Sequence, residues 1–248
     1  MPAKYLNIKE TDFLKLKRVQ KFLPLERALQ LLETKKLWFS NPAKWPDPFE
    51  RRFVDGIYPG NKKFTWQGRV YCLCVTTIPT SEASWKAYSD KDIAVKLEFD
   101  RVEFSKIIDN ITSQSGVMDV FFGQMYYRQT KDIEKPLSKI KFEDDLALPI
   151  TSKRFKARLL LLKRKAFDYE CEYRVIVVKN KKSPVDGICF DIPDILKLVK
   201  TITIGPTVGD LEYEMINKHL ISHFNFKANQ IMRSNLYRAS INPIIRNT

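Results

Sequence analysis

Positions 163–178 constrain the fold of this chain more than any other stretch. They start basic (Lys163, Arg164, Lys165), turn acidic (Asp168, Glu170, Glu172) and end in the β-branched run Val175-Ile176-Val177-Val178. Val and Ile fit a pleated, buried surface, so this run predicts a strand that enters the core. Side chains alternate along a strand, which puts Glu170, Glu172 and Arg174 on one face, each about 7 Å from the next. Two close carboxylates repel each other, and the proton affinity of one should rise. Such a pair suits acid–base work or the stabilisation of a cation. The same pattern also reads as an ion-pair row on an edge strand, where charge discourages aggregation.

The rest of the chain supports a sizeable core. Its 248 residues are 44% hydrophobic, which argues against global disorder and fits one domain with a core from about Phe13 to Tyr237. No apolar run approaches the ~20 residues of a membrane span, and positions 1–10 hold no signal-peptide core. The four cysteines do not suggest a disulfide scaffold, and a reducing cytoplasm is expected. The net charge of +14 points to a polyanionic partner such as nucleic acid.

Taken in order, Phe13–Phe22 reads partly as a strand. Pro24 opens a helix carrying Leu25, Ala28, Leu29 and Leu32, and Leu37–Ser40 is a short strand. Asn41–Glu50 holds Pro42, Pro46 and Pro48, a stiff loop bearing Trp45, Asp47, Phe49 and Glu50 that reads either as a pocket wall or as a packed connection. Strands follow at Gly68–Thr77 and Ile93–Phe99, with Trp85 and Tyr88 on a helical segment between them. Phe104, Ile107, Ile108 and Ile111 mark an amphipathic helix, and Val117–Tyr127 is a further strand. Thr151–Lys165 is expected to be one helix. It carries Lys153, Arg154, Lys156, Arg158, Lys163, Arg164 and Lys165 with no acid among them, either as a phosphate-contacting surface or as a solvated basic face. A helix at Pro193–Lys200, a strand at Thr201–Ile204, a helix near Leu211–Ser222 and a strand near Gln230–Tyr237 complete the chain. There is no Gly-rich phosphate loop, and His219 and His223 lack the companions a zinc site requires.

The order of these pieces resembles a bacterial family catalogued as a domain of unknown function, number 2971. The resemblance rests on Leu37-Trp38-Phe39-Ser40-Asn41-Pro42 leading to Asp47-Pro48-Phe49-Glu50, on a cysteine-bearing strand with Trp85 and Tyr88, on Tyr169-Glu170-Cys171-Glu172-Tyr173-Arg174, and on Ile204-Gly205. The chain departs from that pattern at Trp45-Pro46 and at Phe167-Asp168. It is also similar in order to ADP-ribosyltransferases: an early basic strand, a middle strand with hydroxyls and a late Glu-x-Glu strand. That second resemblance implies an α+β fold with split central β-sheets flanked by helices, and NAD as substrate. It implies Glu172 and Glu170 as catalytic residues. Arg18 becomes the early cation, Thr76 the middle-strand hydroxyl, Trp85 and Tyr88 the stacking residues, with Asn41, Asp47 and Phe49 completing the NAD site. The acceptor would be RNA or DNA, held by the 153–165 block and Arg174. A bacterial toxin or phage-defence effector, controlled by an antitoxin or other regulatory partner, is the implied setting. Two other readings stay open. One is a metal-dependent nuclease with Asp47, Glu50, Glu170 and Glu172 around Mg²⁺ and Arg174 or Lys165 balancing phosphate. The other is a non-catalytic nucleic-acid-binding module.

Overall fold

The β-branched run at 175–178 is where the architecture starts. It forms the inner part of a strand at Glu172–Lys179, paired on both sides and fully buried from Glu172 to Val178. The computed structural model describes residues 2–237 except 56, 59–61, 64, 78–80, 90–92, 137–138, 143–148, 150 and 184; of 55, 57, 58, 62, 63, 88 and 89 it describes the backbone alone.

In chain order the strands are β1 (Lys4–Leu6), β2 (Val19–Pro24), β3 (Lys36–Ser40), β4 (Ile57–Tyr58), β5 (Lys62–Lys63), β6 (Val70–Thr76) and β7 (Ala94–Phe99). They continue as β8 (Val117–Gln124), β9 (Tyr126–Arg128), β10 (Leu162–Arg164), β11 (Glu172–Lys179), β12 (Gly187–Asp191), β13 (Val199–Ile204) and β14 (Ile231–Arg233). The α-helices are α1 (Glu10–Phe13), α2 (Leu25–Thr34), α3 (Pro48–Asp55), α4 (Glu82–Ser89) and α5 (Arg101–Thr112). The remaining ones are α6 (Thr130–Ile133), α7 (Lys153–Leu159), α8 (Ile195–Leu198) and α9 (Asp210–Ser222).

Ten strands make one mixed sheet in the order β1-β8-β11-β6-β2-β7-β13-β14, with β3 also on β6 and β12 on β3. The β1–β8 and β13–β14 pairs are parallel and the others antiparallel. The fold is α+β, a central mixed sheet flanked by helices.

One face of the sheet is largely apolar. Val19, Leu73, Val75, Val95, Leu97, Phe99, Val175, Val177, Ile202 and Ile204 meet Leu31 and Leu32 of α2, Phe104, Ile107, Ile108 and Ile111 of α5, and Leu220 of α9 in one core. The 93–99 alternation and the amphipathic 104–111 spacing place these residues as expected, because both periodicities are local. On the opposite face, Cys72, Phe121, Ile176 and Val178 pack with Val54, Leu160 and Leu161.

The sheet is nearly divided. The β2–β6 ladder is a single register pair, Gln20 opposite Thr76, whereas β11 and β6 pair over seven positions. Strand β6 is shared on that side with β3, which meets it only at Cys72. Between Cys72 and Thr76 the outer edge of β6 carries no ladder, and the Lys21 ammonium meets the Cys74 carbonyl there at 3.0 Å.

Several expected elements are corrected. The helix over 151–165 is only α7; residues 162–164 instead pair in parallel with Tyr126–Arg128 as β10. A long-range ladder overrides local helical spacing there. The strand expected to include Glu170 begins at Glu172, because 165–170 is a 3-10 turn closed by Cys171 in the left-handed conformation, φ 40°. Residues 10–13 are helical and β2 starts at Val19. The helix expected over 193–200 shrinks to α8, since residues 199–204 extend β13.

Candidate active site at the split of the sheet

A cavity of about 550 Å³ opens at the division between β2 and β6. Gln20, Lys21 and Phe22 line it from β2, Cys74, Val75 and Thr76 from β6, and Glu172 and Arg174 from β11. Trp45, Asp47 and Glu50 close it from the proline-rich segment, and Lys163, Phe167 and Glu170 from the basic-to-acidic stretch. The register explains the clustering. Glu172 lies opposite Thr76, which lies opposite Gln20, and Arg174 lies opposite Cys74.

The Asp-Pro-Phe-Glu segment turns out to be a helix start. The Asp47 carboxylate accepts from the Phe49 amide at 2.8 Å, and Pro48 takes the first turn, where its missing N–H has no cost. Glu50, inside that first turn, then reaches Arg174 at 3.3 Å and Lys163 at 3.6 Å. Trp45 donates from Nε1 to Ser40 Oγ at 2.9 Å and presents its ring to the Arg174 guanidinium, 4.3 Å from the ring centre.

Lys163 is the hub. Its ammonium pairs with Glu170, with Glu172 at 2.8 Å and with Glu50. Arg174 holds the other oxygen of Glu172 through Nε at 3.1 Å and Nη2 at 2.8 Å, and donates to the Leu160 carbonyl. The Glu172 amide donates to the Tyr127 hydroxyl at 2.8 Å, and Thr76 donates to the Glu170 carbonyl. The turn at Cys171 sets Glu170 off the strand, yet Lys163 still gathers both carboxylates. A non-glycine residue in the left-handed region is strained by about 1–3 kcal/mol, a device common at functional sites.

The two carboxylates differ in proton affinity. Burial, the largest influence, lifts Glu170 to about 7 against the pull of Lys163. Burial also opposes ionisation of Glu172, but Arg174 and Lys163 outweigh it and hold the group well below the usual carboxylate range. Burial disfavours the charge on Lys163 as well, and Glu172, Glu50 and Glu170 together overcome it. Burial, with Glu172 behind it, pushes the Cys74 thiol up to about 12, so that cysteine is no nucleophile at neutral pH. At neutral pH the pair therefore consists of one ionised carboxylate beside one poised to give or take a proton.

The structure sorts the sequence-derived residues. Glu170, Glu172, Asp47, Thr76, Lys163 and Arg174 come together at the cavity. Arg18 does not line it and is exposed. Asn41 is a buried cap that receives the Ala43 amide and donates to the Val185 carbonyl. Phe49 lies behind Asp47 under the Arg164 guanidinium, 4.4 Å from its ring centre. Trp85 is 1% exposed and packs edge-on against Phe22 in a small core with Ala94, so it is no stacking surface. Tyr88 is on α4, but its side chain lies outside the described residues.

The basic block divides in the same way. Arg158 is fully buried, 5.5 Å from the Phe142 ring centre, and Arg174 is 1% exposed, so neither presents a surface to phosphate. Lys163 is occupied by carboxylates and Arg164 by Asp47 at 3.1 Å. Lys153, Arg154 and Lys165 are exposed, while half-buried Lys156 meets Thr65 at 2.9 Å. The four carboxylates of the nuclease reading do line one cavity, yet among the described residues no group of three His, Cys, Asp or Glu side chains is placed to hold a metal ion.

Sequence reasoning missed Lys21, Gln20 and Tyr127. For Lys21 a signal existed: Val19, Lys21 and Leu23 share one parity of β2, so a lysine stands where the pattern asks for an apolar side chain.

Among the described residues no helix is long and apolar enough to cross a membrane. No curated protein and no solved structure matches the chain. A family model does match: residues 84–175, from α4 to the carboxylate-bearing start of β11, are similar to the family described as Protein of unknown function (DUF2971).

Proposed function

We propose that the cavity is the active site of an NAD-dependent ADP-ribosyltransferase that modifies nucleic acid, a toxin or phage-defence effector in its biological setting. One observation carries this reading: Lys163 ties together two carboxylates of unlike proton affinity at the cavity wall. The near-division of the sheet beside them adds support.

In this reading the bond from the ribose C1′ to the nicotinamide nitrogen breaks, and its electron pair leaves with nicotinamide. Positive charge develops on the ribose, and ionised Glu172, itself buried in the cavity wall, faces it. A fixed charge acts strongly there and needs no reorganisation. A nucleophilic oxygen or nitrogen of the acceptor then bonds to C1′ and passes its proton to Glu170. A group that titrates near 7 is suited to taking a proton at neutral pH. Trp45 and Phe167 supply aromatic lining, their rings already against Arg174 and against Lys163 and Arg164, and exposed Arg154 and Lys165, with Lys153 beside its Asp119 partner, offer phosphate contacts.

Incubation with labelled NAD and RNA, DNA or protein tests the proposal. Label should pass to a nucleic acid with release of nicotinamide. If neither label transfer nor nicotinamide release occurs with any acceptor, the proposal fails.

A further inference from the structure

The cations at the cavity are not equivalent. Lys163 meets three carboxylates, Arg174 two and Arg164 one. Lys21 meets none. Among the described residues its ammonium has one hydrogen-bond partner, the Cys74 carbonyl, and no carboxylate at ion-pair distance. An ammonium carries three N–H donors, so donors remain unused. Burial, the leading influence on this lysine, lowers its pKa, and the Glu172 charge, which is not in ion-pair contact with it, opposes burial only in part.

Its chain neighbour is also incomplete. Gln20 is fully buried and donates from Nε2 to Glu98 at 3.2 Å, while its Oε1 has no partner among the described residues. Both residues line the cavity at the point where β2 leaves β6. A buried polar atom without a partner is costly, and at a cavity wall a bound group can complete it.

The charge count points the same way. Asp47 offsets Arg164, and Glu50 with Glu172 offsets Lys163 with Arg174. The remaining carboxylate, Glu170, is lifted to about 7 and carries only part of a charge at neutral pH. Lys21 is then the unmatched charge, and one anionic group would balance it.

We propose that Lys21 and Gln20 form the anion subsite of this cavity, where the Lys21 ammonium binds a phosphate of a nucleotide and the Gln20 carbonyl accepts from an adjacent hydroxyl. The inference rests on reading the cavity as a nucleotide site, and it moves the early cation from Arg18 to Lys21.

Calorimetric titration of the full chain with ADP-ribose, inorganic phosphate and succinate tests it. ADP-ribose should bind, phosphate should compete with it, and succinate should not. Lys21→Met should weaken ADP-ribose at least tenfold, because a charge-assisted contact is lost. Lys21→Arg, which keeps the charge, should stay within about threefold of the parent. Gln20→Leu should weaken it about threefold to fivefold, as for one neutral hydrogen bond. Unchanged affinity in Lys21→Met overturns the proposal, as does a parent protein that binds no phosphate-bearing ligand. Equal competition by succinate overturns the assignment to phosphate. If Lys21→Met loses its ligand but the parent transfers no label from NAD, the subsite stands and the transferase reading falls. If label is transferred while Lys21→Met binds normally, the reverse holds.

Discussion

Two buried carboxylates in this protein each lie between two cations, and they are built differently. Asp119 on β8 has a side chain 2% exposed and pairs with Lys4 and with Lys153 at 2.7 Å. Those lysines are 42% and 54% exposed and reach in from solvent. Glu172 on β11 is 6% exposed, but its partners Lys163 and Arg174 are themselves only 11% and 2% exposed. Around Asp119 the ions tie β8 to the edge strand β1 and to α7. Around Glu172 every partner is interior, a second carboxylate shares the lysine, and a cavity adjoins. A buried network of that kind is sensitive to loss of any member, because the survivor is left charged without water.

The largest expected effect follows from that contrast. Arg174→Met leaves Glu172 and Glu50 short of a buried cation, and should lower unfolding free energy in urea by about 3–5 kcal/mol. Lys153→Met at the other carboxylate should cost under about 1 kcal/mol. Equal losses would erase the distinction between the two sites.

Next comes activity. Glu172→Gln should cut label transfer from NAD by about 10²–10³-fold, the typical effect of removing a charge-stabilising group. Asp119→Asn should leave the rate per folded molecule unchanged. Transfer that survives in Glu172→Gln would remove the catalytic role assigned to it.

Glu170 gives a smaller, pH-dependent effect. Its folded pKa of about 7 lies above the ordinary 4.5, so the folded state binds the proton more tightly. The stabilisation this brings is complete below about pH 4.5 and is lost as pH rises through 7. Glu170→Gln should therefore gain stability relative to the parent between those values, on the order of 1 kcal/mol after allowing for solvent screening. Parallel stability curves for variant and parent across pH 4–8 would contradict the raised proton affinity.

The smallest effect belongs to the surface. Lys153→Met or Arg154→Met should reduce the salt dependence of nucleic-acid binding by about one unit of slope each, without changing label transfer to small acceptors. A slope that does not move would take α7 out of the nucleic-acid contact.

Much of the frame was legible from neighbouring residues alone. The alternation at Ile93–Phe99 and the spacing Phe104, Ile107, Ile108, Ile111 encode their own faces, and both elements form with those residues inward. The site was legible only in part. Glu170, Glu172, Arg174, Trp45, Asp47 and Glu50 could be nominated as polar or aromatic groups in unusual settings, and all of them reach the cavity. Trp85 could not be told from a ligand-stacking residue, because whether an indole faces a cavity or a core depends on what packs over it. The 162–164 strand was hidden for a similar reason: its parallel partner lies more than thirty residues upstream.

The sequence by itself determined an α+β chain with a buried, β-branched central strand bearing acids and an arginine at its mouth, since periodicity and β-propensity act over a few residues. Only the tertiary structure decided which charges meet. Lys163 joins three carboxylates from two separate segments, and Lys21 meets none among the described residues, at the point where β2 leaves β6 after a single pair. Ion pairing falls off within a few ångströms, so it is set by where strands diverge and turns fold back, which no short window of residues contains.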